Sequence, residues 1–233
     1  MSGAESDFEL HNLHDLGGIP ASGGVIPPGR LFRSANPDAL TALGWQQLLD
    51  AGIRTIVDLR NDDELMSTVR PGELRVERRP VEDHTDSEFM AVWGDRLGSP
   101  EYYYPVVARL WPHLVAGAVS AVADAPPGGI LIHCMAGRDR TGMIAAILLE
   151  LVGVDRNAVF DDFAHSAREI NAWWRIHGGP RGSRTDAEMV EYLASARVSL
   201  NGFLDDLDAP AYLAAAGITQ AQLERLRARL LDA

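Results

Sequence analysis

The residues with the clearest chemical potential stand together between Gly129 and Gly142. His133 and Cys134 are followed by five residues and then by Arg140 and Thr141. An arginine presents a rigid fork of donors that suits two oxygens of a phosphate group. A cysteine attacks in its thiolate form, which helix N-termini and neighbouring cations favour. The spacing therefore predicts a phosphate site with Cys134 as nucleophile and Arg140 as clamp.

Two apolar runs flank this loop and predict the elements that hold it. Gly129–His133 is typical of a buried strand, and the run from Met143 to Leu151 is typical of a helix. A loop that enters a helix N-terminus can aim its N–H groups at an anion. We therefore expect the phosphate to be bound by the loop residues Met135, Ala136, Gly137, Arg138, Asp139 and Arg140. A lone cysteine is more often a small buried hydrophobe, but the histidine, arginine, threonine and glycines around this one favour the phosphate site.

The loop resembles a known signature. His133, Cys134, Arg140 and Thr141 match the H-C-x5-R-[ST] pattern of cysteine-dependent protein tyrosine phosphatases. The wider loop is similar to the G-K-D-R-T-G loop of bacterial secreted phosphatases of the triple-specificity type. Further similarity to that family covers residues 12–18, 29–34, 52–60 and 191–193, so it spans nearly the whole chain.

This resemblance implies a fold and an activity. The fold would be α/β, of the three-layer tyrosine phosphatase type, with a mostly parallel central sheet between helices and a helical C-terminal part. The activity would be hydrolysis of phosphomonoesters, with phosphotyrosine as substrate and phosphoserine, phosphothreonine or phosphoinositides as further candidates. We expect a phosphocysteine on Cys134, a hydrogen bond from Thr141 to the sulfur, and a loop-fixing role for His133. No metal and no other cofactor is required, because backbone amides and arginine do the work of a magnesium ion.

A general acid must protonate the leaving oxygen, and three aspartates are candidates. Asp139 lies inside the loop, where it is either protonated or turned toward an arginine as a brace. Asp83 lies on an acidic loop after a predicted strand, near a Pro-x-x-Asp segment of the resembling family, and is slightly favoured. Asp86 on the same loop stays open. The Trp111-Pro112-His113 triplet lacks the carboxylate of the family's W-P-D acid loop and is discounted.

Two departures from the family pattern concern the substrate. Arg138 replaces a lysine that the resembling enzymes associate with phosphoinositide recognition, and His14 replaces an arginine. Residues 166–187 occupy the place of the family's helical lid. Trp173 and Trp174 would form its apolar underside, although core packing explains them equally well.

Other polar residues have competing interpretations. Arg60 and Asp58 end a predicted strand, so Arg60 is a candidate for the rim of the pocket, while a salt bridge between the two is equally consistent with the pattern. Asp161, Asp162 and His165 have the spacing of metal ligands on a helix. Without a further histidine or cysteine cluster, we interpret them as a solvated face.

Local signals also place the remaining elements. Strands are predicted at Ile53–Leu59 and Leu74–Arg79. Helices are predicted at Pro37–Ala51 with Asn36 as N-cap, 101–123, 140–152, 155–168, 186–206, 210–216 and from Thr219, where Gln222 completes a capping box.

Composition limits the class of protein. The chain of 233 residues has 33 acidic and 21 basic residues and a net charge of −12, which argues against non-specific binding of nucleic acid or anionic membrane. One cysteine excludes an internal disulfide framework. We expect a single phosphatase domain over 1–233 with a frayed terminus at 1–9, no membrane insertion, and a location in the cytoplasm or export without a recognisable signal peptide. Composition indicates no oligomeric state.

Several alternatives share the loop. The partner is a phosphorylated protein or lipid in the favoured interpretation and a nucleotide or sugar phosphate in the runner-up. An adaptor that binds phosphate without turnover is disfavoured by the presence of both Cys134 and Arg140. An arsenate reductase would need a resolving cysteine that this chain lacks, and a rhodanese has no need of Arg140 and Thr141.

Overall fold

A computed structural model describes residues 9–94, 100–180 and 182–231. The predicted frayed terminus falls almost wholly on residues 1–8, which lie outside the described residues. In the described ranges, no single helix is long and apolar enough to cross a membrane. Tyr104–Leu110 and Pro112–Ala123 pass that test of length and composition only as a pair, and the pair is bent by 95°.

A five-stranded sheet organises the molecule. Its strands are β1 (His14–Asp15), β4 (Leu31–Ser34), β5 (Ile53–Asp58), β6 (Arg75–Arg78) and β7 (Gly129–His133), in the order β1-β4-β7-β5-β6. β4, β7, β5 and β6 run parallel, and β1 is antiparallel to β4. Two short strands, β2 (Pro20–Ala21) and β3 (Gly24–Val25), form a separate hairpin. The mostly parallel sheet confirms the predicted fold class.

Helices cover both faces of the sheet. They are α1 (Ala42–Asp50), α2 (Ser87–Trp93), α3 (Pro100–Leu110), α4 (Pro112–Ala123), α5 (Asp139–Leu151), α6 (Arg156–His177), α7 (Asp186–Asp205), α8 (Ala209–Ala215) and α9 (Gln220–Leu231). Side chains alternate between the faces of a strand. Ile130 and Ile132 of β7 therefore enter the large core under α4 to α9, whereas Leu131 enters a smaller core with Trp45 and Leu48 of α1. The three layers follow from this alternation.

The first predicted helix begins later than expected. Asn36 does accept a hydrogen bond from the N–H of Asp38 at 2.9 Å, but this bond closes an isolated turn and α1 begins only at Ala42, so Asn36 is not its N-cap. Thr41 caps α1 instead, accepting from the N–H of Gly44 at 3.3 Å. The capping box predicted at Thr219 and Gln222 is confirmed by reciprocal hydrogen bonds of 3.0 and 3.3 Å.

Two other helix predictions needed correction. The helix expected over 101–123 is two helices, α3 and α4, which meet at Trp111 because Pro112 opens α4. The helix expected to end at Arg168 continues to His177, because its buried face extends through Ile170 and Asn171. α2 was not predicted, and its N-cap is Asp86, which accepts from the N–H of Phe89 at 2.9 Å.

Candidate active site

Three parallel strands end at the same level and define the site. Ser34, His133 and Asp58 are register partners at the carboxyl ends of β4, β7 and β5. Cys134 is the next residue after β7, is 2% exposed, and stands just before α5. Ligands of parallel sheets bind at this edge, so the fold places the predicted nucleophile where a ligand is expected.

The loop between β7 and α5 has its carbonyl groups tied to the surrounding protein. Five consecutive carbonyl oxygens have partners: Cys134 O with His133 Nδ1 at 3.1 Å, Met135 O with Asn36 N at 3.0 Å, Ala136 O with Asn12 Nδ2 at 3.0 Å, Gly137 O with Arg33 Nη2 at 2.7 Å, and Arg138 O with Gly142 N at 2.9 Å. These partners come from the N-terminal segment, β4, β7, the turn after β4 and α5. The loop is thus held from outside by its acceptors.

The orientation of the carbonyls fixes the direction of the N–H groups. No peptide bond of the described chain is cis, and in a trans peptide the N–H points opposite to the C=O. The N–H groups of residues 135–139 therefore point away from these partners and into the loop. No hydrogen bond among the described residues uses the N–H of Met135, Ala136 or Gly137. A ring of available donors at a helix N-terminus is a cradle for an anion.

Gly137 allows this loop to approach β4. Its φ is +68°, a conformation that favours glycine. A Cβ at this position would lie 2.1 Å from the carbonyl oxygen of Ser34. The glycine is therefore required by both backbone conformation and space.

Arg140 is held by two glutamates that sequence reasoning did not single out. Its guanidinium makes a two-point ion pair with Glu64, with Nη2 at 2.6 Å from Oε1, and Nη1 lies 3.2 Å from Glu82 Oε1. Burial opposes the charge of Arg140, but the hydrogen bonds with Glu64 and the negative charges around the guanidinium together raise its pKa. Burial likewise opposes the charge of Glu64, and the bond to Arg140 lowers the pKa of that carboxyl. Arg140 is therefore a permanent cation in a fixed position.

His133 and Thr141 lie beneath the loop. Burial lowers the pKa of His133 to about 4, so the imidazole is neutral at neutral pH, with Nε2 3.7 Å from Asp58. The Thr141 hydroxyl is buried and has no hydrogen-bond partner among the described residues. The predicted bond from Thr141 to the sulfur is therefore not among the observed hydrogen bonds and stays a prediction.

Asp139 faces Arg138 rather than the cradle. Its carboxylate accepts from Arg138 Nε at 2.9 Å and from Nη2 at 3.1 Å, which is the brace that one of the two alternatives predicted. The Arg138 guanidinium lies 5.3 Å from the Trp174 ring and 5.8 Å from the Tyr192 ring. Trp174 therefore contacts the loop through Arg138, and motion of the predicted segment 166–187 as a lid stays a prediction.

The other two candidate acids are also engaged. Asp83 accepts from the hydroxyl and the N–H of Thr85 at 2.6 and 2.8 Å, and these hydrogen bonds lower its pKa. Asp86 caps α2. Asp83 nevertheless directly follows Glu82, which contacts Arg140.

Arg60 is fully buried and surrounded by carboxylates. Its guanidinium binds both oxygens of Asp58, at 2.9 and 2.8 Å, and Asp38 at 2.8 Å. Asp38 also binds Arg70 at 2.9 Å. The salt bridge with Asp58 is present, and contact of Arg60 with substrate stays a prediction.

A buried ion pair supports the loop from below, and here the interpretation of a solvated face was wrong for Asp162, although Asp161 and His165 are exposed. Asp162 is not on a solvated face: its side chain is 5% exposed and binds Arg33 and His14. Arg33 is fully buried and donates to the carbonyls of Gly137 and Arg138. Arg33 and Asp162 are 129 positions apart, so no local pattern connects them.

Comparisons with known proteins agree with this geometry. The model of the tyrosine phosphatase family matches residues 8–232. The triple specificity protein phosphatase PtpB of Mycobacterium tuberculosis is 25% identical over 275 residues, covering 96% of this chain and 98% of that protein. A tyrosine-protein phosphatase of Nostoc commune is 25% identical over 231 residues, covering 88% of this chain and 76% of that protein.

A solved structure was also found. The crystal structure of P. aeruginosa TpbA in complex with pTyr is 20% identical, covers 81% of this chain and 86% of that one, and superposes with a TM-score of 0.41. That value is too low to bear on function. The family match over nearly the whole chain is decisive: the protein belongs to the tyrosine phosphatase family and is a phosphatase enzyme.

Proposed function

We propose that this protein hydrolyses phosphotyrosine through a phosphocysteine on Cys134. The observation that carries the proposal is the set of five loop carbonyls with partners outside the loop, which leaves the N–H groups of 135–139 pointing into the loop that follows Cys134. Such fixed donors stabilise the equatorial oxygens of a transferring phosphoryl group without reorganisation. The names of the two relatives support the same reaction class.

The reaction has two steps. The Cys134 thiolate attacks phosphorus in line, an S–P bond forms, and the P–O bond to the leaving group breaks while that oxygen takes a proton. Water then attacks phosphorus, the S–P bond breaks, and inorganic phosphate leaves. The buried hydroxyl of Thr141 has no partner among the described side chains and backbone groups, and we assign it to the sulfur, whose departing charge it stabilises in the second step.

Arg140 binds the phosphoryl oxygens. In the structure, Glu64 accepts hydrogen bonds from both terminal nitrogens of the Arg140 guanidinium. When phosphate binds, its oxygens replace those of Glu64 as acceptors of hydrogen bonds from the Arg140 guanidinium, and the cradle amides supply the remaining contacts. Backbone and arginine together provide the positive charge, so the chemistry requires no metal.

The general acid is Asp83 in this proposal. Asp139 is held by Arg138 outside the cradle, whereas Asp83 lies on the segment that touches Arg140. The hydrogen bonds from Thr85 keep Asp83 ionised, so the loop must release Asp83 before it can donate a proton. We expect Asp83→Asn to slow hydrolysis of an alkyl phosphate much more than that of an aryl phosphate with a good leaving group. If Asp139→Asn, and not Asp83→Asn, slows the alkyl phosphate much more than the aryl phosphate, Asp139 is the general acid.

The position of Arg138 favours phosphotyrosine over a phosphoinositide. Its guanidinium is buried between Asp139, Trp174 and Tyr192. In this arrangement Arg138 forms part of the wall of the pocket, and the exposed side chain of Met135 lies at the mouth of the loop. An exposed methionine beside the nucleophile suits an aryl group.

Phosphate release from a substrate panel tests the proposal. Wild type and Cys134→Ser are assayed with a phosphotyrosine peptide, a phosphoserine peptide, a phosphoinositide and nucleotide monophosphates, with chelator present. We expect release that depends on Cys134 and is fastest from phosphotyrosine. Fastest release from a nucleotide would establish a small-molecule phosphatase instead, and no release by wild type would contradict the proposed activity.

A further inference from the structure

A group of metal-ligating side chains lies on the outer side of Arg140. Asp63 and Glu64 belong to a single turn of 3-10 helix (Asp62–Glu64) after β5, and His84 lies on the loop after β6. One potential ligand atom from each of the three residues lies within 4.8 Å of the other two. His84 Nδ1 faces both carboxylate oxygens of Asp63 at 3.3 Å. The backbone thus brings one imidazole and two carboxylates from separate segments to one point.

Glu82 orients the imidazole of His84 as a metal ligand requires. Its Oε1 lies 3.1 Å from His84 Nε2, and a carboxylate can only accept there, so Nε2 carries the hydrogen. Nδ1 is therefore the nitrogen that faces Asp63. A carboxylate that accepts from one ring nitrogen while the other binds metal is the usual arrangement of a metal-bound histidine.

Charge and burial point to a cation as well. Glu82 is 2% exposed, and its Oε2 is buried and has no hydrogen-bond partner in the part of the chain that the structure describes. Glu64 and Glu82 both pair with the guanidinium of Arg140, and the carboxylate of Asp63 faces the imidazole of His84, so three carboxylates gather around one guanidinium and one imidazole. A divalent cation would balance this excess of negative charge. Asp63 is 67% exposed, which leaves a path for the ion.

We propose that Asp63, Glu64 and His84 form a site for a divalent transition-metal ion of the Zn²⁺ class. An imidazole with two carboxylates suits Zn²⁺ and Co²⁺, whereas Mg²⁺ and Ca²⁺ prefer sites made only of oxygen ligands. The ion replaces the proton that otherwise links His84 Nδ1 to Asp63. Water completes the coordination on the exposed side.

Such an ion inhibits the phosphatase, and this part rests on the proposed function. Glu64 is both a metal ligand and the partner of Arg140. An ion that takes a Glu64 oxygen weakens the hold on Arg140 and places a positive charge beside it. The arginine then loses the position from which it binds the phosphoryl group.

Binding is tested with Co²⁺ alone on the Cys134→Ser protein, so that no thiolate can bind the probe. We expect visible d–d absorption bands that saturate with Co²⁺ and disappear when Zn²⁺ is added. His84→Ala or Asp63→Asn in this background should weaken Co²⁺ binding at least about tenfold, and Glu82→Gln by ~10-fold to 100-fold. His113→Ala is the control, because His113 is an exposed histidine on α4 and is not a member of the cluster.

Two results would overturn the site: no saturable band, or equal affinity in the parent, His84→Ala and Asp63→Asn. Circular dichroism of each variant checks its fold, and Asp63→Asn changes only an exposed carboxylate. With wild type, Zn²⁺ should lower the release of phosphate from phosphotyrosine, chelator should restore it, and Asp63→Asn should resist inhibition. Binding through His84 without inhibition would refute the effect on Arg140. Binding without any phosphatase activity would refute the proposed function and leave the metal site standing.

Discussion

The ion pair between Arg33 and Asp162 offers the sharpest test of how the loop is supported. Their side chains are 0% and 5% exposed, and Asp162 is also bound by His14 Nε2 at 2.9 Å. Asp162→Asn keeps the shape but leaves the Arg33 charge buried without its counter-charge. Removing one partner of a buried pair costs about 3–5 kcal/mol. We therefore expect the free energy of unfolding to fall by about 4 kcal/mol, nearly three powers of ten in the folding equilibrium.

Urea unfolding measures this loss. With a slope of about 2 kcal/mol per molar urea, the midpoint should move down by about 2 M at an unchanged slope. Asp161→Asn is the matched control, since Asp161 is the preceding residue on α6, is 74% exposed and lies 3.9 Å from Arg197. This control should stay within about 0.5 kcal/mol of wild type. A loss below about 1 kcal/mol in Asp162→Asn, or equal losses in both variants, would refute the reasoning.

The pH dependence gives an independent check on the same pair. Burial opposes ionisation of Asp162, but the charge of Arg33 and the hydrogen bonds from His14 and Arg33 together lower its pKa. A carboxyl with a lowered pKa contributes stability that is complete above its unfolded pKa of about 3.9 and is lost as the pH falls toward the folded value. The difference between wild type and Asp162→Asn should therefore be constant near neutral pH and shrink below about pH 4.

Three further predictions follow from particular contacts. Gly137→Ala places a Cβ 2.1 Å from Ser34 O and should abolish phosphate release, whereas Gly202→Ala, which meets nothing within 4 Å, should keep it and raise the thermal midpoint. His133→Gln removes a buried imidazole whose pKa is lowered to about 4. As the pH falls, the unfolded chain binds a proton at His133 before the folded chain does, so the free energy of unfolding of wild type should fall by about 3 kcal/mol from pH 7 to pH 4. Urea unfolding should show a smaller fall in the variant. If residues 166–187 form a lid, hydrogen–deuterium exchange in that segment should slow when vanadate binds, and an unchanged, strongly protected segment would exclude the lid.

Local sequence was sufficient for the reactive loop. A strand, a short glycine-containing turn and a helix are contiguous, and each is encoded by the order of its own residues. Cys134 and Arg140 therefore stand at the predicted strand end and helix start. The capping box at Thr219 and Gln222 was predictable for the same reason, since its hydrogen bonds join residues three positions apart.

Local patterns were less reliable where two solutions competed. Asn36 and Thr41 are both good helix caps, and only the packing of Trp45 and Leu48 in the small core selects the later start. Asp162 is a polar residue on a helix and resembles a solvated position in the sequence. It is buried because Arg33, from a strand far away in the chain, requires a counter-charge.

The sequence by itself predicted the reactive loop, in which Cys134 and Arg140 stand between a strand and a helix, and its resemblance to a known family predicted the fold class. Only the tertiary structure decided what holds that chemistry in place. Glu64 and Glu82 reach Arg140 because the parallel sheet places β5 next to β7 and β6 next to β5, so that the segments that follow these strands leave the same edge of the sheet. The physical reason is that a buried charge needs a partner wherever the chain can supply one, and sequence distance places no limit on that choice.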